Sequence, residues 1–180
     1  MNSLTNKKLS LSELNRPSVE EVKNKKKQEV YIVLDNVRSL HNVGSTVRTS
    51  DAFGIKKLFL CGITGTPPDR EIHKTALGAE LSVDWEYHKS ATELVSELKN
   101  SGVKIFAVEQ TTNSKMLQNM FNIQTTPIAL VFGNEVNGVD QNIIDICHNV
   151  IEIPQIGAKH SLNVSVSVGI VLWEYMRDKI

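Results

Sequence analysis

Short apolar runs rich in β-branched residues alternate with longer amphipathic segments from residue 30 onward. The apolar runs have the length and composition of strands, at residues 30–34, 57–61, 83–87, 103–108, 128–132 and 150–153. The segments between them have helical spacing, at residues 44–53, 91–100, 139–147 and 162–177. This order predicts an α/β fold with a mostly parallel sheet flanked by helices. The turn-rich loop 62–68 directly follows a strand, so we expect it at the rim of a ligand site.

The last amphipathic segment fits two periods. Valine and serine alternate over residues 164–168, as they do in a strand. Apolar residues also recur at helical spacing over a longer stretch, at Leu162, Val166, Ile170 and Trp173. We predict a helix, because the helical period extends further. Since a helix that is apolar nearly all round is buried, we also expect a subunit interface here.

The composition is that of a globular protein, with 180 residues, 41% of them apolar and 22% charged. The apolar stretches are far shorter than the roughly 20 residues that cross a bilayer. The N-terminus has neither the apolar core nor the cleavage site of a secretory signal, so we expect a cytoplasmic protein without membrane contact. Cys61 and Cys147 lie far apart without a neighbouring CxxC or histidine cluster, which predicts buried reduced thiols and no metal site.

Charge is unevenly distributed along the chain. Residues 1–30 carry seven Lys or Arg and four Asp or Glu, against thirteen and sixteen in the remainder, so the first segment is +3 and the rest −3. Two readings of the first segment remain open: an arm that contacts a phosphate backbone, or a solvated helix over residues 18–28 capped by Ser18. We predict a basic N-terminal extension over residues 1–29 and one domain over residues 30–180.

The common nucleotide and hydrolase motifs are missing from the sequence. Residues 133–138 have the GxxxxG spacing of a phosphate loop, but Val139 and Asp140 follow where that loop needs Lys and Ser or Thr. No GxGxxG follows a strand, so the usual dinucleotide-binding fingerprint is absent, and the lack of a GxSxG disfavours an α/β-hydrolase.

Three polar clusters each follow a predicted strand. In the first, residues 34–48, Asn42 fits a helix N-cap, and Arg48 lies near the middle of that helix either for function or as a solvated side chain. In the second, residues 129–140, Glu135 sits in a glycine-bracketed turn, either beside a planar ligand or as a charge at a helix N-terminus. In the third, residues 151–165, Ser161 fits an N-cap, which leaves Asn163 in the first turn without a capping role.

Together the clusters resemble motifs 1, 2 and 3 of the SpoU/TrmH branch of the SPOUT RNA 2′-O-ribose methyltransferases. The resemblance covers residues 30–178 and rests on Asn42 with Arg48, on Phe132-Gly133-Asn134-Glu135 with Gly138, and on Ile153-Pro154 with Ser161-Leu162-Asn163-Val164-Ser165. It implies a C-terminal deep trefoil knot and a homodimer formed through the knot region. It also implies S-adenosylmethionine as methyl donor, no metal, and methylation of the ribose 2′-OH of a nucleotide in tRNA or rRNA.

The resemblance implies catalytic roles for Arg48, Asn42, Glu135, Ser161 and Asn163. Arg48 would face the RNA, placed by Asn42, and Glu135 would hold Arg48 or Asn163 through charge-assisted hydrogen bonds. Cofactor contacts fall to Val108, Gly133, Ile153, Ser161, Leu162 and Asn163. The acceptor of the 2′-OH proton stays open between Arg48, an RNA phosphate and water.

The expected RNA-binding residues are the cations and the histidine nearest the predicted catalytic helix, Arg38, His41, Arg48 and Lys74. A non-catalytic RNA-binding or S-adenosylmethionine-binding relative of the same fold is the alternative function. Such a relative is expected to lose Arg48, Glu135 or Asn163, and this chain keeps all three. The short basic arm and the lack of a separate RNA-binding domain favour tRNA over rRNA.

Overall fold

The computed structural model describes residues 6–10, 12–120 and 127–179. The strands are β1 (Gln28–Asp35), β2 (Ile55–Cys61), β3 (Trp85–His88), β4 (Lys104–Val108), β5 (Lys115–Met116), β6 (Ile128–Phe132) and β7 (Asn149–Glu152). The helices are α1 (Val19–Asn24), α2 (Leu40–Phe53), α3 (Arg70–Ala76), α4 (Ala91–Asn100), α5 (Gln141–Ile146) and α6 (Val164–Met176). Short 3₁₀ turns lie at Ala79–Leu81 and Leu117–Asn119.

The strands form one sheet in the order β3-β2-β1-β6-β4-β7-β5, and every strand pairing within the described residues is parallel. The predicted parallel α/β sheet is therefore confirmed. Along the carboxyl edge of the sheet, Phe132 of β6 pairs with Leu34 of β1 on one side and with Val108 of β4 on the other. Val108 also pairs with Ile151 of β7. The carboxyl ends of four strands thus meet at one edge, where open α/β sheets bind ligands.

Apolar side chains cover both faces of the sheet. Along β1 and β6, alternate residues such as Ile32 and Leu130 pack in a core layer with α2, α3 and α6, while Val33 and Val131 pack in a second layer with α4 and α5. Because successive side chains of a strand point to opposite faces, the continuous apolar runs in the sequence follow from burial on both sides.

Two predicted helix caps are wrong. Helix α2 begins four residues earlier than the predicted segment, and its N-cap is Ser39, whose hydroxyl accepts a hydrogen bond from the Asn42 N–H at 3.3 Å. Asn42 therefore lies in the first turn, where its side-chain amide is free to bond elsewhere. Helix α6 is capped by Asn163, whose Oδ1 accepts from the Ser165 N–H at 2.9 Å, so Ser161 is not the cap.

Two short elements were not predicted. Strand β5 has two exposed residues and no apolar alternation. Helix α3 is short and polar, and its sequence signal is the N-cap Asp69, which accepts from the N–H groups of Glu71 and Ile72. It packs closely on α2, since a Cβ at Gly44 would lie 2.1 Å from Thr75 Oγ1. Glycine at this position permits the close approach of the two helices.

The helix reading of the first segment and the prediction of buried thiols are each confirmed in part. Helix α1 begins after Ser18 as predicted but ends at Asn24, and Ser18 and Glu21 form a reciprocal capping box. Cys61 is buried, and burial raises the pKa of its thiol to about 12, whereas Cys147 is only half-buried. In the part of the chain that the structure describes, no helix has the length and apolar character needed to span a membrane.

Candidate active site

A cleft of about 520 Å³ opens at the carboxyl ends of β4, β6 and β7. Its apolar lining includes Val108, Ile151 and Ile153 at the strand ends, and Leu162 shortly before α6. The volume falls within the range of about 300–1,000 Å³ that small-molecule sites occupy. Loop 62–68, expected at the rim, contributes none of the described residues that line this cleft. Its Thr64 instead donates a hydrogen bond to the Leu34 carbonyl at 3.2 Å.

One wall of the cleft is the loop from Gly133 to Gly138. It is closed by paired backbone hydrogen bonds between Asn134 and Gly138, at 3.0 and 2.9 Å. A Cβ at Gly133 would lie 2.0 Å from the Gly138 backbone carbon and 2.1 Å from the Val139 nitrogen, so only glycine fits without moving main chain. The sequence FGNEVNG therefore folds as a tight loop whose backbone faces the cleft.

Glu135 extends from this loop to the beginning of α2. Its Oε2 accepts from the Arg38 N–H at 2.9 Å, and its Oε1 accepts from the Ser39 N–H at 3.1 Å and from Asn42 Nδ2 at 3.0 Å. Burial acts to raise the pKa of Glu135, but the hydrogen bonds from Arg38, Ser39 and Asn42 outweigh it and hold the pKa below its ordinary value. The carboxylate is thus ionised at neutral pH and fixes the loop to α2.

A chain of side-chain hydrogen bonds joins the three motifs. Asn42 donates to Glu135 and accepts from Asn163 Nδ2 at 3.0 Å, while Asn163 caps α6. The expected contact of Glu135 with Arg48 or Asn163 is therefore wrong for the described residues, because Asn42 stands between Glu135 and Asn163. The Asn42 amide donates through its nitrogen to Glu135 and accepts through its oxygen from Asn163, so one side chain bridges the two.

Arg48 lies apart from this chain of contacts. It is exposed on α2, and its guanidinium forms no hydrogen bond or ion pair with any residue that the structure describes. Arg48 follows Asn42 by six residues, which is about 9 Å along a helix axis. It is not among the described residues that line the cleft. A free, exposed guanidinium is available to bind an anionic ligand.

All the residues expected to contact a cofactor line the cleft, namely Val108, Gly133, Ile153, Ser161, Leu162 and Asn163. Sequence reasoning missed Glu109, Gln110, His160 and Ser167, which line it as well. The sequence signal for Glu109 is its position directly after β4. Among the described lining residues, Glu109 and Glu135 carry negative charge and none is Lys or Arg, so the cleft favours a ligand with positive charge.

The expected RNA-binding residues lie on or beside α2 and α3, with Arg38 and His41 near the start of α2, Arg48 further along α2, and Lys74 in the last turn of α3. His41 Nε2 and Lys74 Nζ both contact Glu71, at 3.0 and 2.6 Å from its two carboxylate oxygens. Arg38 is exposed, and its backbone N–H donates to Glu135. In the part of the chain that the structure describes, no group of three or more His, Cys, Asp or Glu could hold a metal ion.

Comparison with known proteins gives a family for this fold and cleft. The SpoU rRNA Methylase family matches residues 29–173. The tRNA (guanosine(18)-2′-O)-methyltransferase of Aquifex aeolicus is 35% identical over 160 residues, which cover 88% of this chain and 74% of that protein. The 23S rRNA (guanosine-2′-O-)-methyltransferase RlmB of Vibrio vulnificus is 27% identical over 169 residues, covering 93% of this chain and 67% of that protein.

Solved structures agree with the sequence matches. The A. aeolicus TrmH/SpoU tRNA modifying enzyme superposes with a TM-score of 0.79 at 32% identity, covering 89% of this chain and 80% of that one. An rRNA methyltransferase from Sinorhizobium meliloti, solved with AdoMet bound, gives a TM-score of 0.78 at 25% identity and covers 88% of this chain. This chain spans 60% of the length of that protein. The chain with this cleft belongs to the SpoU rRNA methylase family.

Proposed function

We propose that this protein transfers a methyl group from S-adenosylmethionine to the ribose 2′-OH of a nucleotide in tRNA or rRNA. The observation that carries the proposal is the convergence of three separate sequence motifs on one cleft through Glu135, Asn42 and Asn163. Relatives named as methyltransferases of tRNA and of rRNA match most of this chain, which supports the reaction for both RNA classes.

The cleft suits S-adenosylmethionine in size and charge. When bound, this cofactor supplies a methyl group on a positively charged sulfur. We assign Val108, Gly133, Ile153 and Leu162 to hold its nucleoside, largely through backbone groups and apolar contact. Ser161 and Asn163 supply polar side chains on the same wall. Among the lining residues that the structure describes, two are carboxylates and none is Lys or Arg, which favours a cationic ligand in this space.

The remaining residues serve the RNA. Because a guanidinium stays protonated at neutral pH, we assign Arg48 to grip the phosphate beside the target ribose rather than to remove the 2′-OH proton. The RNA phosphate or water then accepts that proton. The contact with the RNA phosphate backbone is extended by Arg38, His41 and Lys74. Glu71 holds His41 and Lys74 in place. Asn42 and Glu135 keep the first turn of α2 against the cleft.

The first experiment is transfer of labelled methyl from S-adenosylmethionine to unmodified tRNA and, separately, to unmodified rRNA. We expect label in one RNA class, recovered after nuclease digestion as a 2′-O-methylnucleoside. Label on a base would contradict the proposed reaction. Binding of S-adenosylmethionine without transfer to either RNA would support the non-catalytic alternative.

We also propose a homodimer formed through α6 and the knot region. Helix α6 buries one apolar face, but Val166, Ile170 and Trp173 form a second apolar stripe that is exposed, with Trp173 55% accessible. Large contiguous apolar surfaces of this kind mark association sites. The trefoil knot itself remains a prediction from the resemblance.

Replacing Trp173 by glutamate is expected to convert the dimer to monomer at micromolar concentration, because a charge would be placed on the apolar stripe. Sedimentation velocity measures this directly. Leu81→Glu, at an exposed leucine in a 3₁₀ turn, is the matched control and should leave the mass unchanged. A Trp173→Glu protein that sediments like the unchanged protein would contradict this interface.

We further propose that residues 1–29 form a basic extension that contacts RNA away from the cleft, in a cytoplasmic enzyme. Lys23, Lys25, Lys26 and Lys27 precede β1 at the amino edge of the sheet. The cleft lies at the carboxyl edge, roughly 25 Å away across a strand of this length. The extension therefore suits an RNA large enough to reach both edges, as a whole tRNA is.

A further inference from the structure

Glu109 directly follows β4, and its carboxylate makes hydrogen bonds in addition to carrying charge in the cleft. Its Oε2 accepts from the Val139 N–H at 3.0 Å, and its Oε1 accepts from the Gln110 N–H at 2.8 Å. Val139 follows the loop from Gly133 to Gly138 directly. Glu109 thus joins the end of β4 to the distal end of the loop that walls the cleft, and it lines the cleft itself.

Gly138 and Glu109 fit each other. The backbone of Gly138 has φ +69°, in the left-handed region that favours glycine. A Cβ there would lie 2.1 Å from Glu109 Oε2, so any larger residue would displace the carboxylate from the loop. The glycine is required both for its backbone conformation and for the space that Glu109 occupies.

The loop is consequently held by a carboxylate at each side. Glu135, within the loop, anchors it to the backbone at the start of α2, and Glu109 anchors the end of the loop, at Val139, to β4. The backbone pairing of Asn134 with Gly138 closes the loop between these anchors. Removing either anchor leaves the Gly133 backbone less firmly placed against the cleft, because loops with few tertiary hydrogen bonds move.

We propose that Glu109 is a positioning residue for the nucleoside-binding wall of the cleft. It acts through the backbone of the loop, by fixing Val139 and thereby Gly133, and it is not a catalytic residue. This inference rests on the proposed function, since the ligand whose binding it supports is S-adenosylmethionine or its demethylated product.

The test uses S-adenosylhomocysteine, whose neutral sulfur makes the affinity report on the position of the wall rather than on attraction of a sulfonium. Glu109→Ala should raise the Kd for S-adenosylhomocysteine about tenfold in calorimetry, because two backbone N–H groups lose their acceptor. Glu109→Gln keeps one oxygen acceptor and the side-chain shape, so it should fall between the alanine variant and the unchanged protein. In the methylation assay, the KM for S-adenosylmethionine should rise while the KM for RNA stays within twofold.

Two further variants separate this role from general destabilisation. Gly138→Ala disturbs the contact between Glu109 and the loop, because its Cβ would occupy the space of the Glu109 carboxylate. In the double variant with Glu109→Ala that space is free, so the combined loss of affinity should be smaller than the product of the two single losses. Glu97→Gln, at an exposed glutamate of α4, should leave the Kd unchanged. Unaltered S-adenosylhomocysteine affinity in folded Glu109→Ala would overturn the positioning role while leaving the proposed reaction intact. Failure of the unchanged protein to bind either compound would overturn both.

Discussion

Replacing Arg48 by alanine is expected to lower the rate of methyl transfer about 10²–10³-fold while S-adenosylhomocysteine affinity stays unchanged. Arg48 is exposed, has no partner among the described residues and is not among the described residues that line the cleft. Its loss should therefore remove the proposed RNA contact without disturbing the proposed cofactor wall. Arg48→Lys keeps the charge but not the two-pronged geometry, and should recover only part of the rate. Rates under single-turnover conditions measure this effect without product release.

Lys104→Ala, at an exposed cation that begins β4 on the opposite edge of the sheet, is the matched control and should leave the rate unchanged. An Arg48→Ala protein that retains more than half of the original rate would remove Arg48 from the reaction. Equal loss of cofactor affinity and rate would instead indicate a structural role for Arg48.

The position of Arg48 also bears on how the sites are shared in a dimer. In its own subunit, about 9 Å of helix axis separate it from Asn42, which contacts the cleft residue Asn163. If Arg48 serves the partner's cleft, mixing equal amounts of Arg48→Ala and Asn163→Ala subunits should restore about a quarter of the sites, because half of the dimers are mixed and one site in each is complete. Absence of recovery in verified mixed dimers would place Arg48 in its own subunit's site.

The parallel sheet could be predicted from the sequence because burial on both faces leaves continuous apolar runs, as in β1 and β6. The convergence of the cleft residues followed from a general rule, since each polar cluster comes after a strand and parallel strands end at the same edge. Helix α3 escaped prediction because its few residues carry little periodic signal, and only the cap at Asp69 marks it.

The contacts within the site depend on distances that residue types do not reveal. Asn42 and Ser39 are both good capping residues. Ser39 caps α2, because the side-chain amide of Asn42 is bound by Glu135, which lies about a hundred positions away and also accepts from the Ser39 N–H. The role of Glu109 also depends on a distant residue. In the sequence it is a glutamate that follows a strand, and only the fold shows that Gly138 leaves room for its carboxylate. Such relations are tertiary, so a local pattern cannot contain them.

Replacing Glu135 by glutamine is the second change with a large expected effect. The glutamine amide group would face an N–H donor of Arg38 or Ser39, so at least one hydrogen bond to the start of α2 would be lost. The loop and Asn42 would then shift relative to Asn163, and a displacement near 1 Å at a reacting centre costs about 10²-fold in rate. Single-turnover methyl transfer measures the loss. The control is Asn137→Ala in the same loop, because the backbone N–H of Asn137, which donates to Asn134 Oδ1, is retained in this variant.

Acid unfolding gives an independent measure of the same contact. Because the pKa of Glu135 is lowered in the folded protein, its ionised form stabilises the fold above the ordinary glutamate pKa of about 4.3, and this contribution disappears as the pH falls through the lowered value. Glu135→Gln should therefore reduce the free energy of unfolding at pH 7, and the difference from the unchanged protein should shrink as the pH approaches 3. A difference that stays constant across this range would show that the charge of Glu135 does not hold the loop to α2, and the loss of rate would then need another cause.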